Sequence, residues 1–204
     1  MVSDTGTWPR RLAAVATLAA GVAWLRRHPS ACPYALRLSI QVPHPFVTRR
    51  RLLEVLAPTP GERVLEIGPG TGYYSLDVAQ RCGTLALVDV QRRMLDHTLR
   101  RARERGLANV EADEADARRL PYEEASFDAA FLVTVLGEVP DREQALRELH
   151  RVLRPGGRLV VGELLLDPHW VSPRALDRMT ADAGFEPDGR VGSVGYFARY
   201  LRPS

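Results

Sequence analysis

The sequence predicts an α/β fold, a doubly wound parallel sheet with helices on both faces, and three observations carry that expectation. From about residue 60 onward, short and nearly continuous apolar runs alternate with helical patterns, the signature of βαβ units whose strands are buried on both faces. The first of these runs ends in a glycine-rich turn that opens a helix, as in nucleotide-type crevices. A length of 204 residues suits one domain with an appended segment, and we divide the chain into an extension over 1–45 and a domain over 46–204.

Composition narrows the class of partners. All 28 basic residues are arginine, they are interleaved with 25 acidic residues, and the net charge is only +3. No sustained basic face exists for nucleic acid, so none is expected as a partner. Cys32 and Cys82 are the only cysteines and neither has metal-ligand spacing, so no metal site is expected, and a reducing, cytoplasmic setting is.

The elements follow in order. Leu12–Leu25 is an apolar stretch bracketed by Arg10, Arg11, Arg26 and Arg27; it reads as a helix, with Leu12, Val15, Leu18, Val22 and Leu25 forming one stripe. Fourteen helical positions reach about 21 Å, short of a hydrocarbon core of about 30 Å, so spanning is disfavoured. Arg26–Pro29 stands where a cleavable leader needs small residues, which argues against export. The stretch either packs on protein or lies in a membrane interface on the cytoplasmic side. Pro29, Pro33, Pro43 and Pro45 then exclude a long helix and mark a linker or lid. From Phe46 a helix is expected, with Leu52, Leu53, Val55 and Leu56 inward, Arg49–Arg51 in solvent, and Pro58 and Pro60 ending it. Strands are expected near Arg63–Ile67, Thr84–Asp89, Asn109–Ala112, Phe127–Val133 and Arg158–Leu165, then near Arg190 and over Tyr196–Leu201. The clearest helices are Gln91–Arg105, closed by Gly106, and Asp141–Leu153, capped by Asp141 and ended by Pro155, Gly156 and Gly157. Ser172 and Pro173 read as the cap and first position of a helix ending at Gly184.

The chemistry concentrates where the first strand ends, in Val64-Leu65-Glu66-Ile67-Gly68-Pro69-Gly70-Thr71-Gly72. Glycines there let the backbone approach a ligand closely. Asp89, at the end of the next strand and 23 residues after Glu66, has the placement of a carboxylate that accepts hydrogen bonds from ribose hydroxyls. Dinucleotide folds use G-x-G-x-x-G to meet a pyrophosphate, whereas this turn is G-x-G-x-G behind an acidic residue. That suits a ligand bearing an ammonium and a sulfonium and no phosphate.

At these residues the chain resembles the class I, seven-stranded S-adenosylmethionine-dependent methyltransferases, and within them the small-molecule group similar to quinone-biosynthesis C-methyltransferases. The resemblance spans roughly Pro60 to Gly162 and rests on Val64–Gly72, Leu87–Met94, the stretch from Asp116 through Pro121 and Tyr122 to Asp128, and Arg151–Gly157. It implies the strand order 3, 2, 1, 4, 5, 7, 6 with strand 7 antiparallel. It also implies S-adenosylmethionine as cofactor, with Glu66, Gly68, Gly70 and Gly72 at the methionyl part, Asp89 on the ribose, Val90 and Met94 flanking the adenine, and Asp116 and Ala117 at its edge. Leu120–Tyr122 and Pro155–Gly157 read as structural, the latter as the start of a strand.

Methyl transfer from a sulfonium needs positioning and exclusion of water. A general base is needed only where the acceptor must lose a proton. Candidates are Glu138, Glu163, His169, Tyr34 and His44. Many relatives carry His after strand 4; this chain has Val135-Leu136-Gly137-Glu138-Val139 there. The expected partner is a small acceptor, lipophilic or membrane-resident, covered by Leu12–Pro45; deleting residues 1–45 should abolish turnover or membrane partition with cofactor affinity nearly intact. A non-catalytic S-adenosylmethionine-binding sensor or partner subunit is the alternative, while the glycine spacing disfavours an NAD-dependent oxidoreductase.

Overall fold

The computed structural model describes residues 29–36 and 45–204, together with Gly21. The remainder of Leu12–Leu25, and His44, lie outside the described residues. Among those described, the elements run α1 (Arg49–Leu56), β1 (Arg63–Ile67), α2 (Ser75–Ala79), β2 (Thr84–Asp89), α3 (Arg92–Glu104), β3 (Val110–Glu114), β4 (Phe127–Val133), α4 (Arg142–Val152), β5 (Leu153–Leu164), α5 (Pro173–Asp182), β6 (Glu186–Gly192) and β7 (Gly195–Leu201). The seven strands form one sheet in the order β3-β2-β1-β4-β5-β7-β6, in which β7 runs antiparallel to both its neighbours. This is the order that the resemblance implies.

Period-two alternation sends successive side chains to opposite faces, and two cores result. Leu65, Ala86, Ala130, Leu132 and Val161 pack with Leu146, Leu149 and Val152 of α4 and Leu176 of α5. Val64, Leu85, Leu87, Phe131 and Val160 pack with Leu52 and Leu56 of α1, Val78 of α2 and Leu95 of α3. Each fully buried Leu contributes about 1.5 to 3 kcal/mol, so the apolar stripe of each helix fixes which face it covers. The edge strand β6 is exposed along its whole length.

Local chemistry sets the ends. Thr48 caps α1 by accepting from the Arg51 N–H, and Ala57 closes it in the left-handed region before Pro58. The Arg triplet is partnered at the surface: Arg49 with Asp77, Arg50 with Glu54, and Arg51 with the Phe46 carbonyl. Asp141 caps α4 through the Gln144 N–H and Ser172 caps α5 through the Ala175 N–H, with Pro173 as its first residue. Gln91 precedes α3 without capping it, because its amide is engaged elsewhere.

Three boundaries differ from expectation. β3 lies one to two residues later, at Val110–Glu114. β7 begins one residue earlier than expected, at Gly195, while β6 spans Glu186–Gly192 about Arg190 as expected. The larger correction concerns β5, which begins directly after α4, at Leu153, so Pro155-Gly156-Gly157 lies inside it. Leu153 pairs with Phe127 and Arg158 with Ala129, and residues 154–157 bulge between them. The tight turn needs Gly157, where a Cβ would stand 2.7 Å from the Arg154 carbonyl oxygen.

Candidate active site

Parallel strands that diverge in chain order leave a crevice at their carboxyl ends. β1 lies between β2 and β4, and the crevice opens beyond Ile67, Asp89, Val133 and Leu164, the last residues of β1, β2, β4 and β5. It holds a cavity of about 580 Å³, within the range of small-molecule sites.

The glycine turn forms one wall. Gly68 and Gly70 line the cavity at φ +66 and +54, a region that side chains resist. A Cβ on Gly68 would strike Val135 at 2.5 Å. Gly72 does not line the cavity; a Cβ there would meet Thr98 of α3 at 2.8 Å, so its bareness serves packing of turn against helix. α3 holds the turn in place, since Thr98 Oγ1 donates to the Gly70 carbonyl at 3.1 Å and Arg101 donates to the Thr71 carbonyl.

Glu66 is 3% exposed and does not line the cavity. Burial pushes its carboxyl up to about 8, the Ser75 hydroxyl pulls the other way and the charge of Asp89 adds to the rise. Its Oε2 and the hydroxyl of Thr71 are buried without a partner. Asp89 lines the cavity and accepts from the Gln91 N–H at 2.8 Å; burial raises it to about 6. Val90, half-exposed, and Met94, 2% exposed, line the wall beyond it. Asp116 and Ala117 complete this end. Asp116 is held by Arg118 through Nη2 at 2.6 Å, and that bond lowers its proton affinity.

Of the acceptor-side candidates, Glu138 alone lines the cavity among those described. Its Oε2 accepts from the Cys32 N–H at 3.1 Å, and burial, with the charges of Asp167 and Asp89, raises it to about 7. Glu163 is 1% exposed and accepts from the Val171 N–H at 3.1 Å, outside the cavity wall. His169 also stands outside it, its N–H donating to Asp167 Oδ1 at 2.7 Å. Tyr34 is off the wall too, its N–H donating to Gln91 Oε1 at 3.1 Å.

Several lining residues had no mark in the sequence: Ser30, Cys32, Gln91, Arg118, Thr134 and Asp167. Thr134 is in the left-handed region at φ +54, and strain in a non-glycine residue clusters at functional sites. The positive φ has no sequence signature.

A bare glycine cradle, a ribose-type carboxylate and unpartnered buried acceptors behind the turn fit a nucleoside carrying a cationic amino-acid arm. Comparisons agree. Residues 65–161 match the family described as a methyltransferase domain. The chain is 38% identical over 118 residues to methyltransferase GfsG of Streptomyces halstedii, covering 57% of this chain and 42% of that one. It is 34% identical over 154 residues to the ubiquinone/menaquinone biosynthesis C-methyltransferase UbiE of Brucella anthropi, covering 72% and 57%. The chain thus spans about half the length of the curated relatives it matches. A solved S-adenosylmethionine-dependent methyltransferase from Aquifex aeolicus has the same fold, with a TM-score of 0.76 at 19% identity, covering 84% of this chain and 100% of that one.

Fold and site together define a Rossmann-like α/β domain with a nucleoside crevice. Over residues 65–161 this chain is similar to the methyltransferase domain, and its sheet has the strand order that the resemblance to the class I, S-adenosylmethionine-dependent kind implies.

Proposed function

We propose that the chain transfers a methyl group from S-adenosylmethionine to a small, lipophilic acceptor. The observation that carries this reading is one cavity lined by Gly68, Gly70 and Asp89 together with Glu138. When bound, S-adenosylmethionine supplies a methyl group already activated by its sulfonium. Asp89 accepts from ribose hydroxyls, the glycine turn admits the methionyl arm, with Glu66 behind it, and Val90, Met94, Asp116 and Ala117 bound the adenine. Val135, Val139, Pro140, Leu164 and Pro168 give the acceptor side an apolar wall, which supports a lipophilic acceptor, as does a relative named for quinone biosynthesis. Such walls exclude water from the reacting methyl. Glu138, with a proton affinity near neutrality, is placed to take the proton of a hydroxyl, amine or acidic carbon as the acceptor attacks.

The same reading gives residues 1–45 the task of covering the acceptor side and, through Leu12–Leu25, of meeting a membrane surface on its cytoplasmic side. Because Ser30, Ala31 and Cys32 line the cavity itself, deletion of 1–45 should weaken cofactor binding along with turnover, a revision of the effect expected from sequence. Among the described residues no helix is long and apolar enough to cross a membrane.

Titration with S-adenosylhomocysteine by calorimetry tests the reading. Micromolar binding by wild type, lost in Asp89→Ala and Gly70→Val, supports it and justifies an acceptor screen starting with lipophilic phenols and quinols. A folded wild type that ignores S-adenosylhomocysteine, or binds NAD instead, overturns it.

A further inference from the structure

Gln91 is shared by the nucleoside-binding turn and the segment that covers it. Its backbone N–H donates to Asp89 Oδ1 at 2.8 Å. Its side chain donates from Nε2 to the Cys32 carbonyl at 2.9 Å and accepts at Oε1 from the Tyr34 N–H at 3.1 Å. A primary amide offers a donor and an acceptor in fixed geometry, so it grips two backbone groups two residues apart much as a neighbouring strand would. On the acceptor side the Cys32 N–H donates to Glu138 Oε2. Beyond, the Tyr34 ring stands edge-on to His97, with centroids 6.5 Å apart, and 5.9 Å from the Arg93 guanidinium. The segment therefore bridges the turns that follow β2 and β4 while Ser30, Ala31 and Cys32 line the cavity.

We propose that Gln91 is a positioning residue that clasps Ser30–Tyr34 across the crevice, and that cofactor exchange requires this clasp to open. The gating half rests on the reading of the cavity as a cofactor site. Three side-chain to backbone hydrogen bonds tie the segment to the two turns, so it can lift by local opening while the sheet stays intact. Ribose engagement of Asp89 fixes the turn from which the Gln91 side chain projects, so a bound nucleoside favours the closed clasp.

The chain carries its own reporter, because Cys32 is partly exposed in the segment while Cys82 is buried in the core. Iodoacetamide labelling of the full chain should modify Cys32 slowly in wild type, and more slowly still with saturating S-adenosylhomocysteine. Gln91→Ala should label Cys32 about tenfold faster without ligand and release S-adenosylhomocysteine about tenfold faster in stopped flow, the scale of one or two lost hydrogen bonds. Gln91→Glu, which keeps the acceptor for Tyr34 and loses the donor for Cys32, should fall between, and it carries the test if Gln91→Ala exposes Cys82. Equal Cys32 labelling in wild type and both variants overturns the clasp. Faster labelling with an unchanged release rate overturns the gating. A wild type that binds no S-adenosylhomocysteine while Gln91→Ala still accelerates labelling upholds the clasp and overturns the cofactor reading and the gating with it.

Discussion

Glu138 and Glu163 are both buried carboxyls raised well above the usual range, to about 7 and about 8, yet they differ in what they can reach. Glu138 lines the cavity and Glu163 does not. If Glu138 is the base, kcat/KM rises with pH through about 7 as its carboxylate forms; Glu138→Gln removes that limb and lowers kcat by about 10²-fold or more. A pH-rate profile on an identified acceptor checks this, and an unchanged profile sinks the role. Glu163 instead acts on stability. A carboxyl whose folded value is raised favours the fold below the unfolded value, near 4.5, and loses that advantage as pH climbs through about 8. Glu163→Gln keeps an acceptor for the Val171 N–H, so its melting temperature should exceed wild type by about 2 to 8 °C at pH 8.5 and match it at pH 5. At this scale the sequence was legible where spacing carries chemistry, as in Gly68, Gly70 and Asp89. Gln91 and Cys32 were illegible because their contacts join residues far apart in the chain, and no local pattern announces such a meeting.

At the scale of elements, the strands were legible because a strand buried on both faces must be apolar without a break, as Val64–Ile67 and Phe131–Val133 are apart from Glu66. Caps were legible because Asp141 and Ser172 are among the few side chains able to accept from a helix's first N–H groups. The start of β5 was not, because Pro155-Gly156-Gly157 suits a loop and a bulge equally. Nor did sequence mark why Gly137 stands before Glu138. A Cβ at Gly137 would lie 1.8 Å from the His169 carbonyl oxygen, a backbone group with no rotamer to yield. Gly137→Ala must push the 3₁₀ turn Leu136–Glu138 away from the loop after β5 and carry Glu138 with it. A displacement near 1 Å can lower turnover about 10²-fold, so kcat should fall by that order. Calorimetry should show a smaller change in S-adenosylhomocysteine affinity, since Gly70 and Asp89 are on other turns. Equal losses in both would refute that separation.

Over the whole molecule, four buried acids act together, two on the cavity wall and two off it. Glu66, Asp89, Glu138 and Glu163 all have raised proton affinities, burial being the first cause of each. Their joint effect favours the fold at low pH and is lost progressively from the ordinary carboxylate range, about 4 to 4.5, up to about pH 8. Glu62, Asp116 and Glu148 are lowered, chiefly by bonds from Arg158, Arg118 and Arg151, so their stabilisation disappears only as pH falls below the ordinary carboxylate range. The ligand-free chain should therefore melt highest at about pH 4.5, where the two sets balance, and several degrees lower at pH 8.5. Scanning calorimetry across that range checks it; a maximum above pH 8 would contradict the burial of these groups.

The strand β6 has a consequence of another sort. Its sequence, Glu186-Pro187-Asp188-Gly189-Arg190-Val191-Gly192, alternates charges with a proline that has no N–H and glycines that pack nothing, and its pairing with β7 slips between Pro187 and Gly189. An open rim of hydrogen-bonding groups invites a foreign strand to join it, and charge, proline and irregular register are what discourage such joining. On this side the sheet ends where it does because its last strand makes a poor template for an eighth.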